Sequence, residues 1–374
     1  METLIMLALM LAMAKLLGWV FEKLGQPVVL GQILGGLIIG VFAESNEIIR
    51  EFSNLGVLLL LFLAGIESDL KEFRRVGKPS IFVAGVGVLF SFILGFLVAY
   101  PFVEFHEALL YGAIMTPTSV SITVRVLMEL RRLRTREGTT ILAAAVVDDV
   151  LGILVLTVII SLLREGSIDY RTIAEIIVEV SGFLVIFIYL GPVFAEKAFK
   201  RISHIDLPES TTAFAVVFLI LFAYMAEHLN LASILGAYMV GLTIGQTSYK
   251  KQVEDHVSIL GYSLFIPLFF VEVGMRIELS YILHASLFAV LYTIMAIVSK
   301  VAGCGFGAYL SGFDLKASLR IGIGMIPRLG VELAMLTIAL SSGVIGSEAL
   351  TIAIFMVFVT TISTPPLLKW AYKR

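Results

Sequence analysis

The sequence predicts an all-α polytopic membrane protein of about thirteen transmembrane helices, built as two inverted six-helix repeats joined by a linker helix. Three observations carry that prediction. The chain of 374 residues is 59% hydrophobic and only 15% charged, with a mean hydropathy of +1.00, which is more apolar surface than one soluble core can hide. Apolar stretches long enough to cross about 30 Å of hydrocarbon, at about 1.5 Å per residue, recur from end to end. Lysine and arginine collect in alternate connecting loops, the pattern set by the cytoplasmic face of a membrane.

The spans are taken in order. The first, 3–22, follows a Met-Glu-Thr start that lacks the basic region and cleavage site of a secretory signal. Lys15 lies within it and is long enough to snorkel. The second, 27–43, places Gly31, Gly35, Gly36 and Gly40 at the spacing of close helix contacts, inside the protein or at a dimer face. The third, 53–68, closes on Glu67 and Asp69, either interfacial or a cytoplasmic funnel that attracts cations. After a fourth at 79–103, the fifth, 107–130, is interrupted at Thr116-Pro117-Thr118-Ser119. The sixth, 139–163, carries Asp148 and Asp149, and the seventh, 172–196, is the linker. Spans 211–228, 231–247 and 257–274 follow, the last ending in Glu272 and Arg276, which read as an interfacial pair. The eleventh, 281–309, contains Lys300, and the twelfth, 317–342, is interrupted at Met325-Ile326-Pro327-Arg328. The thirteenth, 348–369, leaves only a few residues before Arg374, so no appended nucleotide-binding domain is expected.

The basic loops are Lys23; Lys71 to Lys78; Arg131 to Arg136; Lys197, Lys200 and Arg201; Lys250 and Lys251; Lys316 and Arg320; and Lys369 to Arg374. The opposite loops hold little beyond Arg50, Arg164, Arg171 and Arg276. Such alternation requires an odd number of spans, with the N-terminus outside and the C-terminus cytoplasmic, in a plasma membrane. Six spans, one linker and six more form inverted repeats, and the prolines at 117 and 327 fall in the fifth span of each half. Proline removes a backbone donor, and in lipid the freed groups must find protein, ion or cavity water. Two such breaks crossing at mid-membrane mark a substrate site.

The chemistry concentrates in a few ionisable residues. An ionised aspartate at a helix centre costs about 2.5–3.5 kcal/mol, so two adjacent ones, Asp148 and Asp149, are a poor structural choice. They point about 100° apart and can take different partners, and burial with like-charge repulsion favours holding a proton, as a reversible carrier needs. Lys300 lies too deep to snorkel and calls for a carboxylate partner in that pair. Arg328 and Glu332 have the spacing of a same-face ion pair that shapes the broken helix or touches the ion. Cys304, the single cysteine, reads as a small packing residue.

Several segments together resemble the monovalent cation:proton antiporter superfamily, in the branch of the bacterial NapA and Kef-type exchangers. They are Pro27 to Gly36, Leu59 to Leu70, the Asp148-Asp149 pair, Leu235 to Leu242 and Phe265 to Met275, in the same order and spacing over nearly the whole chain. The resemblance implies a single antiporter membrane domain over 1–374, working as a homodimer. A gate or dimerisation part covers 1–78 and 211–275, a mobile core 79–163 and 281–370, and the linker helix 171–199. It further implies that Asp149 is the exchanging carboxylate and the Na⁺ ligand, that Asp148 partners Lys300, and that Thr118 and Ser119 supply oxygens, which suit a hard cation. Pro117, Pro327, Arg328 and Glu332 support the broken helices, although the family often has Pro-Arg-Gly-Glu where this chain has Pro327-Arg328-Leu329-Gly330-Val331-Glu332.

The expected activity is alternating-access exchange of Na⁺, with Li⁺ a further substrate, for protons, at two H⁺ per Na⁺, with K⁺/H⁺ exchange as the alternative and a cation channel as a distant one. The only non-protein components expected are the lipid bilayer, Na⁺ and H⁺; no cofactor, nucleotide or nucleic acid is implied. An aspartyl protease needs its aspartates on different helices, His106-Glu107 lacks the second histidine of a zinc protease, and no phosphate-binding Gly-x-x-x-x-Gly-Lys loop occurs. The chain therefore reads as a transporter and not an enzyme.

Overall fold

The computed structural model describes residues 2–165, 170–205, 207–228, 233–276, 286–328 and 348–373, and among them every regular element is a helix. The first eight are α1 (Glu2–Lys23), α2 (Val28–Gly40), α3 (Glu47–Glu67), α4 (Leu70–Arg75), α5 (Gly77–Ala99), α6 (Phe105–Ile114), α7 (Val120–Glu129) and α8 (Arg136–Glu165). Then follow α9 (Tyr170–Val185), α10 (Gly191–Ile202), α11 (Ser210–His228), α12 (Ser233–Ile244), α13 (Lys250–Leu260), α14 (Ile266–Met275), α15 (Leu287–Leu310), α16 (Leu315–Gly324) and α17 (Glu348–Lys373). Two π-helical turns, Ile186–Leu190 and Gly261–Phe265, join α9 to α10 and α13 to α14. Among the described residues nine helical stretches are long and apolar enough to cross a membrane, and α2 and α12 are shorter apolar helices. The chain forms two compact units, one of Met1–Arg74, Met128–Arg134 and Ile176–Ile277, the other of Arg75–Leu127, Thr135–Glu175 and Glu278–Arg374.

In the first unit, small residues let helix backbones touch. A Cβ on Gly36 of α2 would run into the Val271 carbonyl of α14, and one on Gly274 of α14 would meet the Ile33 carbonyl of α2. The same reciprocal contact joins Gly65 of α3 to the Tyr238 carbonyl of α12, and Gly241 of α12 to the Phe62 carbonyl of α3. The α2 glycines thus serve packing within the protomer, with Gly31 against the Leu17 carbonyl of α1. The N-terminus of α2 has no local side-chain cap, and Glu129 Oε2 accepts from the Val28 amide at 3.1 Å, placing negative charge at the positive end of the helix.

Both π turns precede a proline, and the cause is the missing N–H. The Ile266 amide bonds five residues back to Gly261, and in that register Pro267 would need to bond Tyr262. Lys15 Nζ supplies the donor instead, at 2.9 Å from the Tyr262 carbonyl, so Lys15 caps a broken ladder rather than reaching for the interface. Beside the other break, the Ile188 carbonyl, four residues before Pro192, accepts from Arg74 Nη2 at 2.5 Å.

In the second unit α5 and α15 pack closely, with Gly87 against the Cys304 thiol, Gly307 against the Phe82 carbonyl, and the Ser91 and Ser299 hydroxyls 3.1 Å apart. A buried cluster of Tyr111, Phe288 and Tyr292 fixes α15 to α6, and Tyr292 Oη donates to the Tyr111 carbonyl at 2.7 Å. Ser286 and Asp314 N-cap α15 and α16 through the Ala289 and Ala317 amides, at 3.2 and 2.7 Å. These contacts fix the register at which Lys300 enters the interior.

Candidate functional site

Asp148 and Asp149 sit in α8, both buried. Lys300 Nζ donates to Asp148 Oδ1 at 2.7 Å, and both side chains are 0% exposed. No route to an interface remains for this lysine, so the pair is a true interior ion pair, sustained by mutual attraction against a large desolvation cost. Asp148 Oδ2 accepts no hydrogen bond from the described residues. Cys304, one turn after Lys300, lies in the electrostatic reach of Lys300, Asp148 and Arg328.

The two breaks meet in the same unit. Helix α6 stops at Ile114 and α7 starts at Val120, leaving residues 115–119 non-helical around Pro117. Helix α16 stops at Gly324, and Pro327 lies in the non-helical stretch after it. Each break satisfies the other. The Ser119 amide donates to the Pro327 carbonyl at 2.8 Å, Thr118 Oγ1 to the Met325 carbonyl at 3.2 Å, and Thr123 Oγ1 to the Gly324 carbonyl at 2.6 Å. In the other direction Arg328 Nη1 donates to the Met115 and Pro117 carbonyls. Helix α17 contributes Thr361 Oγ1, which donates to the Arg328 carbonyl at 3.2 Å. Ser119 Oγ is 3.2 Å from Ser121 Oγ.

Gly152 ties α8 to this crossing. It lies four residues after Asp148 and three after Asp149, on their side of the helix, and a Cβ there would be 3.4 Å from Thr116 Oγ1 and from Pro117 Cβ. The structure therefore brings Asp148, Asp149, Lys300, Pro117, Thr118, Ser119, Pro327 and Arg328 into one neighbourhood of one unit. Chemically that is a buried neighbourhood of carboxylate, hydroxyl and carbonyl oxygens, fit for a hard monovalent cation or a proton.

Glu332 lies outside the described residues. Arg328 is spoken for by carbonyls of the first break, a contact that spacing along its own helix does not reveal. Glu67, half-buried, belongs to the first unit, where Arg134, Lys250 and Glu254 interact with it, so charges of both signs surround it. Asp69 is exposed and accepts from the Lys71 amide at 2.7 Å, a local turn contact at the start of α4. Sequence reasoning placed Glu272 at an interface, and the structure corrects this: its side chain is 1% exposed, accepting from Arg276 Nε at 2.5 Å and from Ser53 Oγ at 3.3 Å. The acid inside the apolar run Phe265 to Met275 was the available signal.

With that geometry in place, comparisons with known proteins are informative. The profile of the family described as "Sodium/hydrogen exchanger, transmembrane" matches residues 8–370. The Na⁺/H⁺-K⁺ antiporter GerN of Bacillus cereus is 36% identical over 371 residues, covering 98% of this chain and 95% of GerN. A Na⁺/H⁺ antiporter of Enterococcus hirae is 35% identical over 383 residues, covering 100% of this chain and 99% of its own length. Among solved structures, the sodium proton antiporter MjNhaP1 of Methanocaldococcus jannaschii superposes with a TM-score of 0.68 at 20% identity, covering 99% of this chain and 96% of that one, a likeness of fold. With a family profile spanning nearly its whole length and full-length relatives above 30% identity, the chain belongs to the sodium/hydrogen exchanger family.

Proposed function

We propose that this protein is a secondary antiporter that exchanges Na⁺ for H⁺ at Asp149. The observation that carries the reading is the buried Asp148–Lys300 pair beside a second buried carboxylate at a crossing of two broken helices, in a chain of this family. Lys300 neutralises Asp148, so Asp149 is the carboxylate left to trade one positive charge for another. A cation and a proton compete for it, Thr118 and Ser119 add oxygens, and the ionised empty site is held back by its desolvation cost. Competition couples the two fluxes without ATP. With both aspartates and Lys300 ionised the site carries a formal −1, and release of two protons per Na⁺ makes exchange electrogenic. K⁺ is the second reading, favoured by the likeness to GerN, a Na⁺/H⁺-K⁺ antiporter.

The same reading completes the architecture. Nine long helices, the short α2 and α12, and the two broken segments give thirteen crossings. Inverted repeats are supported by the reciprocal glycine contacts, which pair α2 with α14 and α12 with α3. The first unit serves as the gate and dimerisation part, the second as the moving core, in a plasma membrane with the N-terminus outside and the C-terminus cytoplasmic.

The test is proton movement in proteoliposomes, followed with a pH-sensitive dye and challenged in turn with Na⁺, Li⁺ and K⁺. Saturable, cation-dependent flux in the parent, absent in a folded Asp149→Ala variant, is expected. Flux that persists unchanged in that variant would remove Asp149 from the centre of the mechanism.

A further inference from the structure

We propose that the C-terminal end of α10 is a binding site for a phosphate-bearing anion, and that its occupant is the headgroup of an anionic phospholipid. Lys200, Arg201 and His204 lie three, four and seven residues after Lys197, which puts the four on one helical face. They line one open cavity of about 440 Å³. All four are exposed, and none of them forms an ion pair among the described residues.

Three solvated cations at a loop are what topology alone asks for. Three features go beyond that. The acids nearest in sequence have their hydrogen-bond partners elsewhere: Glu196 accepts from the Ser248 amide at 3.0 Å and from its hydroxyl at 2.7 Å, with Lys200 only a longer-range attraction, and Glu209 lies 2.6 Å from His256 Nδ1. Asp206 lies outside the described residues. The basic face is also rigidly held. Phe199 is buried with ring contacts of 5.8 Å to Phe218 and Tyr249, and Ser203 Oγ is 3.1 Å from Tyr249 Oη. His204 Nδ1 donates to the Lys200 carbonyl at 2.6 Å, which holds the ring beside the basic side chains.

The choice of a lipid over a free anion rests on what leads up to the cluster. One to three turns earlier, through the π turn and into α10, Ile186, Tyr189, Leu190, Val193 and Phe194 are all exposed. In a membrane protein such a stripe lies against acyl chains, so a lipid running along it delivers its phosphate to Lys197, Lys200 and Arg201. Guanidinium and ammonium groups bind phosphate oxygens through charge-assisted hydrogen bonds, and basic pockets at the ends of membrane helices favour anionic headgroups.

The experiment measures lipid retention and thermal stability of the purified full-length protein. Detergent-solubilised protein is titrated with phosphatidylglycerol, with phosphatidylcholine, and separately with inorganic phosphate. Two triple variants are compared with the parent: Lys197→Gln/Lys200→Gln/Arg201→Gln, and a control with equal charge loss at other exposed positions, Lys71→Gln/Lys78→Gln/Lys373→Gln. Phosphatidylglycerol should raise the Tm of the parent and of the control, and phosphatidylcholine should not. Affinity of the α10 variant for phosphatidylglycerol should fall on the order of 100-fold, at about a factor of five per basic residue. Millimolar phosphate giving the same shift would reassign the site to a free anion and overturn the lipid assignment. Equal lipid responses in the parent and the α10 variant, or equal losses in the two variants, would overturn the site itself. A misfolded α10 variant is recognised by size-exclusion chromatography, and single Lys200→Gln and Arg201→Gln variants, each weaker by about fivefold, then carry the test.

Discussion

Replacing Lys300 by methionine removes one partner of an ion pair whose members are both completely buried and 2.7 Å apart. The remaining Asp148 charge would lose the ammonium that compensates its burial, a situation that costs about 3–5 kcal/mol. At about 2.1 cal/mol/K of unfolding entropy per residue, a chain of 374 residues has roughly 0.8 kcal/mol/K. The Tm of Lys300→Met should therefore drop by about 4–6 °C. Asp148→Asn should be destabilised in the same way, because it strands the ammonium. The double variant Asp148→Asn/Lys300→Met replaces the pair with uncharged side chains of similar volume, and such swaps are close to neutral, within about 1 kcal/mol of the parent. The assay is thermal unfolding in one detergent, followed by the fluorescence of Trp19 and Trp370, as a double-mutant cycle. Single variants that melt with the parent, or a double variant as unstable as the sum of its singles, would refute the pairing.

Two further perturbations test the scaffold. Arg328→Lys keeps the charge but replaces a fork with a point donor that cannot serve the Met115 and Pro117 carbonyls together. Loss of one charge-assisted hydrogen bond should cost about 1.5–3 kcal/mol, and an unchanged Tm would show that the fork is not needed. Gly36→Ala drives a methyl into the Val271 carbonyl and should destabilise by about 1–3 kcal/mol, whereas Gly85→Ala, with nothing within 4 Å, should leave the Tm where it is.

The parts of this molecule that were legible in its sequence are those whose cost is high and local. Two carboxylates and a lysine in apolar spans need mutual compensation, so Lys300 could be matched to the Asp148-Asp149 pair from cost alone, and to Asp148, 152 residues away, by the family resemblance. Prolines 117 and 327 marked the interruptions because a missing N–H is a property of the residue itself. What stayed hidden depends on long-range partners. Nothing in the i, i+4 rule, which reads Arg328 toward Glu332, also announces that its guanidinium serves carbonyls released more than 200 residues earlier. Glu272 has Arg276 one turn on, which suggested a wet interface; its burial comes from Ser53 on α3, which nothing near position 272 announces. Lys15 likewise has its reason in Pro267, on another helix.

The two breaks are capped by unlike groups, and the difference bears on where a cation would settle. A helix C-terminus carries roughly half a negative charge. At the end of α6 the Met115 and Pro117 carbonyls accept from the charged guanidinium of Arg328. At the end of α16 the Gly324 and Met325 carbonyls accept, among the described residues, from the neutral hydroxyls of Thr123 and Thr118, which offset that terminus less. On the reading proposed above, a cation approaching the crossing is drawn to the Thr118 end. There the Thr118 oxygen, having given its hydrogen to Met325, has lone pairs to offer. With Asp148 neutralised by Lys300, Asp149 adds the one carboxylate charge a monovalent ion or a proton can cancel. The asymmetry of the caps, as much as the acid, would then decide which side of the crossing binds.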